Sequence, residues 1–321
     1  MPAETRPLRI IFFGTAELAC ASLKGLVQSR PVFEVIAVVT QPDRPKGREL
    51  KLQPPPVKTE ALRWALPILQ PERAREPGFV QALSLLAPDL IVVAAYGQIL
   101  PRSILDLPVS GCLNVHTSLL PKYRGAAPIQ WAILNDEPET GVTIMKMDPG
   151  LDTGDILVWK STPIHPADNA QTLHDRLAAL GAELLVAMIP DYVAGKISPR
   201  KQPEEGASYA RKITKEDGHL DWKAPARALW NRIRAFTPWP GAFAFLPGGT
   251  KPRLLKIWEA ELLESSAGQP GEVVRSDCDG IVVACGDQAL RILTLQLEGG
   301  RRLKARDFLA GHELKAGEKL G

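Results

Sequence analysis

Cysteine is scarce in this chain and so is histidine. The four cysteines stand at 20, 112, 278 and 285, and there are five histidines among 321 residues. No two cysteines form a C-x-x-C pair, so neither a zinc framework nor a thioredoxin-type redox motif is present in the sequence. The four thiols read as core residues in a reducing compartment, and no metal is expected. No apolar run approaches the ~18 residues of a membrane span. The stretch from Met1 to Arg9 lacks the apolar core of a secretory leader. A cytoplasmic protein is expected. Charge of one sign is also lacking. The formal net charge is +3, so a polyanionic partner has to be met by a local patch rather than by the whole field. A dinucleotide fingerprint wants three glycines at its first strand-to-helix turn, whereas Gly14 stands alone there.

What is present is ordinary globular composition, 45% hydrophobic and 23% charged, at a length that suggests two domains. Leu8 to Phe13 is a short apolar run and predicts a buried strand. Gly14-Thr15 turns it into a helix over Ala16 to Val27. Phe33 to Thr40 and Leu90 to Ala95 are further apolar strands. Asn169 to Gly195 carries leucines at helical spacing, at 173, 177, 180 and 184. Strands alternating with helices argue for an α/β fold with a mostly parallel sheet. Residues 196–208 have the composition of a linker. Beyond it lie an amphipathic helix, Ala224 to Phe236, and five short strands between Phe243 and Leu297 divided by Gly and Pro. That pattern fits a small OB-like β-barrel.

Two stretches carry chemistry. In Cys112-Leu113-Asn114-Val115-His116, Asn114 and His116 alternate onto the same face of a strand. Their polar side chains at the carboxyl end of a strand, before a helix from Ala126 to Leu134, occupy the usual ligand-binding edge of an open α/β sheet. An amide donor beside an imidazole can polarise a carbonyl and manage a proton. An Asn-x-His pair alone is more often a satisfied polar pair. The second stretch, Asp148-Pro149-Gly150-Leu151-Asp152-Thr153-Gly154-Asp155, adds three carboxylates on a short loop, and a carboxylate near a histidine can orient it. A third stretch, Gln41 to Pro56, is polar, Pro-rich and basic through Arg44, Lys46, Arg48 and Lys51. It is expected to be a long irregular loop, solvated or placed for phosphates.

Asn114-Val115-His116-Thr117-Ser118-Leu119-Leu120-Pro121-Lys122-Tyr123-Arg124-Gly125-Ala126-Ala127-Pro128, followed by Gly150-Leu151-Asp152-Thr153-Gly154-Asp155-Ile156, resembles the formyltransferases that use 10-formyltetrahydrofolate. The likeness is strongest to the branch that acts on methionyl-tRNA and extends over nearly the whole chain. The resemblance implies a Rossmann-like catalytic domain over residues 1–195, a linker over 196–208 and an OB-like tRNA-binding domain over 209–321. It makes Asn114, His116 and Asp152 a catalytic trio and Ser118, Leu119, Leu120 and Pro121 a folate-binding stretch, with Tyr96 and Gln98 lining the folate pocket. Arg44, Lys46 and Arg48 become contacts to methionyl initiator tRNA. It implies a monomer that moves a formyl group from 10-formyltetrahydrofolate to the methionyl amine in translation initiation. Three alternatives stay open at this point: an amino sugar nucleotide as acceptor, hydrolysis of the formyl donor, and a non-enzymatic RNA-binding module.

Overall fold

A computed structural model describes residues 6–46, 51–246, 252–264 and 268–321. The chain divides into two compact units. The first is Met1–Pro128, Glu139–Pro163 and His174–Ala210; the second is Ile129–Pro138, Ile164–Leu173 and Arg211–Gly321.

The first unit grows from the apolar runs. From Leu8 to Ala210 the elements in chain order are β1 (Leu8–Gly14), α1 (Glu17–Gln28), β2 (Phe33–Val39), β3 (Arg44–Lys46), β4 (Lys51–Gln53), α2 (Pro56–Arg63), β5 (Ile68–Leu69), α3 (Pro77–Leu85), β6 (Leu90–Ala94), α4 (Arg102–Leu105), β7 (Cys112–His116), β8 (Arg124–Gly125), α5 (Pro128–Leu134), β9 (Glu139–Lys146), β10 (Ile156–Pro163), α6 (Ala170–Val193) and β11 (Tyr209–Ala210), of which α5 from Ile129 on and the first turn of α6 are counted with the second unit. Seven strands make one sheet in the order β10-β9-β7-β6-β1-β2-β5. The pairs from β7 to β5 are parallel, and β9 is antiparallel to both β7 and β10. Ile10 to Phe13 and Leu90 to Ala94 are buried throughout, which is why they read as unbroken apolar runs instead of alternating ones. The carboxyl ends of β1, β2 and β6 are pinned at one edge. Thr15 Oγ1 and Gln41 Nε2 both donate to the carbonyl oxygen of Tyr96, at 2.8 and 2.9 Å.

The 41–56 stretch is not wholly irregular. Arg44 pairs with Gln53 and Lys46 with Lys51 in a short antiparallel ribbon, β3–β4. Proline removes the option of helix but not of extended backbone at an edge, so a Pro-rich stretch can still form such a ribbon. Its base is held by Asp43, whose carboxylate accepts from Lys58 Nζ and Gln70 Nε2, each at 2.8 Å. Those hydrogen bonds, Gln70 first and then Lys58, lower the Asp43 pKa below the ordinary carboxylate value.

The second unit holds α7 (Ala226–Ala235), β12 (Ala242–Leu246), β13 (Arg253–Leu263), β14 (Val273–Asp277), β15 (Gly280–Ala284), β16 (Ala289–Leu297), β17 (Leu303–Lys304) and α8 (Ala305–Leu309). Its sheet runs β12-β13-β16-β15-β14, with β17 on β16, all antiparallel. Ala242, Ala244 and Leu246 face inward in alternation, and α7 adds Leu229, Trp230 and Ile233 to the same core. The last residues of the chain connect the two ends of this sheet. Gly321 and Phe245 exchange both backbone hydrogen bonds, at 2.7 and 2.8 Å. On the other side Val273 donates to Glu318 and Leu320 donates to Gly271, each at 2.8 Å. This segment gives partners to both edge strands, β12 and β14, and completes the expected barrel. The five-strand expectation lacked both this segment and β17.

Candidate active site

Asn114 and His116 lie at the carboxyl end of β7 and pair across to Met145 and Thr143 of β9. After β9 the chain makes a tight loop back to β10. The Lys146 N–H donates to Asp155 O at 2.8 Å, and Asp148 closes the loop from within by accepting from Thr153 Oγ1 at 2.8 Å and from the Gly150 N–H at 3.1 Å. Gly154 is required by close approach, since a Cβ there would lie 1.9 Å from Lys146 O. The loop presents Asp152 in the left-handed region, φ +52°, where a non-glycine residue needs support from its surroundings.

The three side chains converge. Asn114 Nδ2 donates to Asp152 Oδ1 at 3.2 Å. The Gly125 N–H donates to Asp152 Oδ2 at 2.9 Å. His116 Nδ1 lies 3.7 Å from the same Oδ2. His116 is 6% exposed. Its Nε2 sits 2.9 Å from the carbonyl oxygen of Tyr123. That oxygen can only accept, so Nε2 carries a proton and Nδ1 is the nitrogen turned toward Asp152. Tyr123 is itself fixed, because its N–H donates to Ser208 Oγ at 2.9 Å. Such a cluster offers hydrogen-bond donors to an oxygen that gains charge, together with an imidazole–carboxylate pair able to take up or release a proton.

The segment after β7 is set by Thr143. Its hydroxyl donates to Ser118 O at 2.7 Å and accepts from the Leu120 N–H at 3.1 Å. Ser118 and Leu120 are buried. Ser118 Oγ donates to Lys122 O at 2.6 Å, and Leu120 packs with Met145 and Ile156. Leu119 and Pro121 are half-buried. A family profile described as Formyl transferase matches residues 8–189, and one described as Formyl transferase, C-terminal domain, matches 212–313. Over 314 residues the chain is 51% identical to the methionyl-tRNA formyltransferase of Geobacter sulfurreducens, covering 98% of this chain and 97% of the relative. The chain belongs to the formyl transferase family, on its methionyl-tRNA branch. It is also 51% identical to the methionyl-tRNA formyltransferase of Caldanaerobacter subterraneus, covering 98% of this chain and all of the relative. An N-formyltransferase from Helicobacter canadensis, solved with folinic acid and dTDP-3-aminofucose, shares the fold at TM-score 0.63 and 20% identity, over 89% of this chain and 99% of that one.

Other residues singled out in the sequence of this formyl transferase have their recorded partners outside the cluster. The Tyr96 ring is 2% exposed and packs edge-on against Phe13 at 5.2 Å. Burial pushes its hydroxyl up to about 12. Gln98 Oε1 accepts from the Ala74 N–H at 2.9 Å and Nε2 donates to Glu72 O at 3.1 Å. Arg44 is exposed on β3 and pairs with Glu72 at 3.3 Å. Lys46 ends the same strand, while Arg48 lies outside the described residues. In the second unit several basic residues, largely exposed, are paired with acidic side chains. Arg211 pairs with Asp217, Arg227 with Asp136 and Lys304 with Glu259. Arg232 donates to Asp217 O and Arg234 to Asp168 O. Arg302 lies over the Trp258 ring at 3.8 Å, a contact with cation–π geometry.

Sequence reasoning missed the residues that hold the cluster. Gln202 and Ser208 come from the stretch read as a linker, and neither carries any local signal of a role. Arg124 stood within the family motif, yet its buried pairing with Gln202, at 3.0 and 2.8 Å, depends on a partner 78 residues away. Among the described residues no group of three or more His, Cys, Asp or Glu could hold a metal ion. None of the described helices is long and apolar enough to cross a membrane.

Proposed function

We propose that the chain transfers the formyl group of 10-formyltetrahydrofolate to the α-amino group of methionyl initiator tRNA in translation initiation, with Asn114, His116 and Asp152 at the reacting centre. The observation that carries this reading is the 51% identity to methionyl-tRNA formyltransferases over 98% of the chain. The geometry supports the assignment of roles. Asn114 uses one amide N–H on Asp152, and the amide's second N–H can meet the formyl oxygen as negative charge develops there. His116 exchanges a proton at Nδ1, since Nε2 is committed to Tyr123. The amine bonds to the formyl carbon as the bond from that carbon to folate N10 breaks. His116 takes the amine proton and returns it to the departing N10, while Asp152 orients both side chains. The folate supplies the formyl carbon.

The donor set fits such a co-substrate. The side chains of Ser118 and Leu120 point into the protein, so contact along 118–121 comes through backbone groups and through Leu119 and Pro121. Tyr96 and Gln98 line the folate pocket, and Arg44, Lys46 and Arg48 meet tRNA phosphates. In this reading residues 1–195 are catalytic, 196–208 connect, and 209–321 bind tRNA. The enzyme acts as a cytoplasmic monomer without a metal. The test is formylation of methionyl initiator tRNA by the purified chain. Folded protein that leaves the tRNA unformylated overturns the reading.

A further inference from the structure

The Gln202 side chain, on a residue 5% exposed, makes four hydrogen bonds to nitrogen and oxygen atoms and a longer contact from Nε2 to Met145 Sδ at 3.9 Å. Its Oε1 accepts from Arg124 Nε at 3.0 Å and from Nη2 at 2.8 Å. Its Nε2 donates to Asp152 O at 2.9 Å and to Gly154 O at 2.7 Å. The partners fix the orientation of the amide, because guanidinium groups only donate and carbonyl oxygens only accept. One side chain therefore joins two segments. The first is Arg124-Gly125, whose Gly125 N–H donates to Asp152 Oδ2. The second is the loop that carries Asp152 itself.

This matters because Asp152 sits at φ +52° on a loop whose neighbouring Leu151 is 54% exposed. Such a conformation persists only when surrounding contacts over-determine it. Gln202 grips the main chain on both sides of Thr153, at Asp152 and at Gly154. Arg124 in turn holds Gln202 and is backbone-paired into the β8–β11 ribbon, Arg124 opposite Tyr209. A shift of the loop would carry the carboxylate away from Asn114, His116 and the Gly125 N–H together.

We propose that Gln202 is a positioning residue for formyl transfer, acting through the backbone of Asp152, with Arg124 fixing its amide. The proposal rests on the formyl-transfer reading above. Gln202→Glu tests it with nearly unchanged shape. The variant keeps an acceptor for Arg124 and replaces both Nε2 donations by an oxygen facing two carbonyls. Measured on the full chain, kcat falls by up to about 10²-fold. KM for tRNA and for the formyl donor stays within about twofold. The imidazole nitrogen resonances of His116 move in the NMR spectrum of the folded variant. Arg124→Lys, which loses the forked pair on Oε1, gives a smaller change in the same direction and serves if Gln202→Glu does not fold. Wild-type kcat with unmoved His116 resonances in a folded variant overturns the proposal. So does a loss confined to melting temperature. The resonance readout does not depend on turnover, so failure of the wild-type chain to formylate tRNA tells against the proposed function and leaves this test standing.

Discussion

His116 donates through Nε2 to the carbonyl oxygen of Tyr123 at 2.9 Å, and this contact turns Nδ1 toward Asp152 Oδ2 at 3.7 Å. In the proposed mechanism, proton transfer at the ring is thereby confined to one nitrogen. His116→Ala removes that nitrogen and is expected to lower kcat by about 10²–10⁴-fold, read in steady-state formylation with saturating substrates. A variant turning over within a few-fold of wild type contradicts the role.

Asn114 is half-buried and has one N–H bound to Asp152. Asn114→Ala is expected to reduce kcat by roughly 10²–10³-fold, the usual effect of losing one oxyanion donor. Affinity for tRNA, measured by filter binding, should stay within about twofold. Equal losses in affinity and kcat would make Asn114 a binding residue instead.

The Arg44–Glu72 pair is exposed on both sides and contributes about 0–1 kcal/mol to stability. Arg44→Ala should therefore leave the melting temperature nearly unchanged. If Arg44 meets a phosphate, the slope of log affinity against log salt falls by about 1. An unchanged slope across several salt concentrations removes Arg44 from the tRNA interface.

Asp217 accepts from Arg211 Nη2 at 2.5 Å and from the Thr214 N–H at 2.8 Å. The Arg211 hydrogen bond, followed by these lesser contacts, holds its carboxyl well below the unperturbed 3.8. A carboxyl depressed on folding adds stability that is fully present above the unfolded value and is lost as pH falls through the folded one. Asp217→Asn is expected to melt below wild type at pH 7, with the gap closing as pH drops beneath 3.8. A gap that persists unchanged at the acid end refutes the assignment.

Leu320 is 2% exposed in the segment that joins β12 to β14. Leu320→Ala should destabilise the chain by about 2–5 kcal/mol, and removal of 318–321 by more, since both edge strands then lose backbone partners. Urea titration measures both. Wild-type stability in the truncated chain would show that the barrel does not depend on its last turn of sequence.

Much of the fold was legible because its signals are local. The buried runs at Ile10 to Phe13 and Leu90 to Ala94 have a strand's length and no polar interruption, and the Asn114-x-His116 alternation fixes which side chains share a face. The β3–β4 ribbon was hidden because proline speaks against helix while leaving extended pairing open. Closure of the barrel by Gly321 was hidden because pairing with Phe245 spans most of the second unit and leaves no pattern in four residues. Gln202 and Ser208 were hidden for the same reason: their partners are Arg124, Asp152 and Tyr123, each fifty or more positions away. The convergence of Asn114, His116 and Asp152 could be named from the family resemblance, but composition and spacing alone made it only chemically sensible.

The most direct test is formyl transfer from 10-formyltetrahydrofolate by the wild-type chain, run in parallel with methionyl initiator tRNA, with an amino sugar nucleotide and with no acceptor. The expected result is formylation of the tRNA alone, slowed at least about 10²-fold in Asn114→Ala and in His116→Ala. Formylation of the sugar, or release of formate without an acceptor at a comparable rate, would contradict the account.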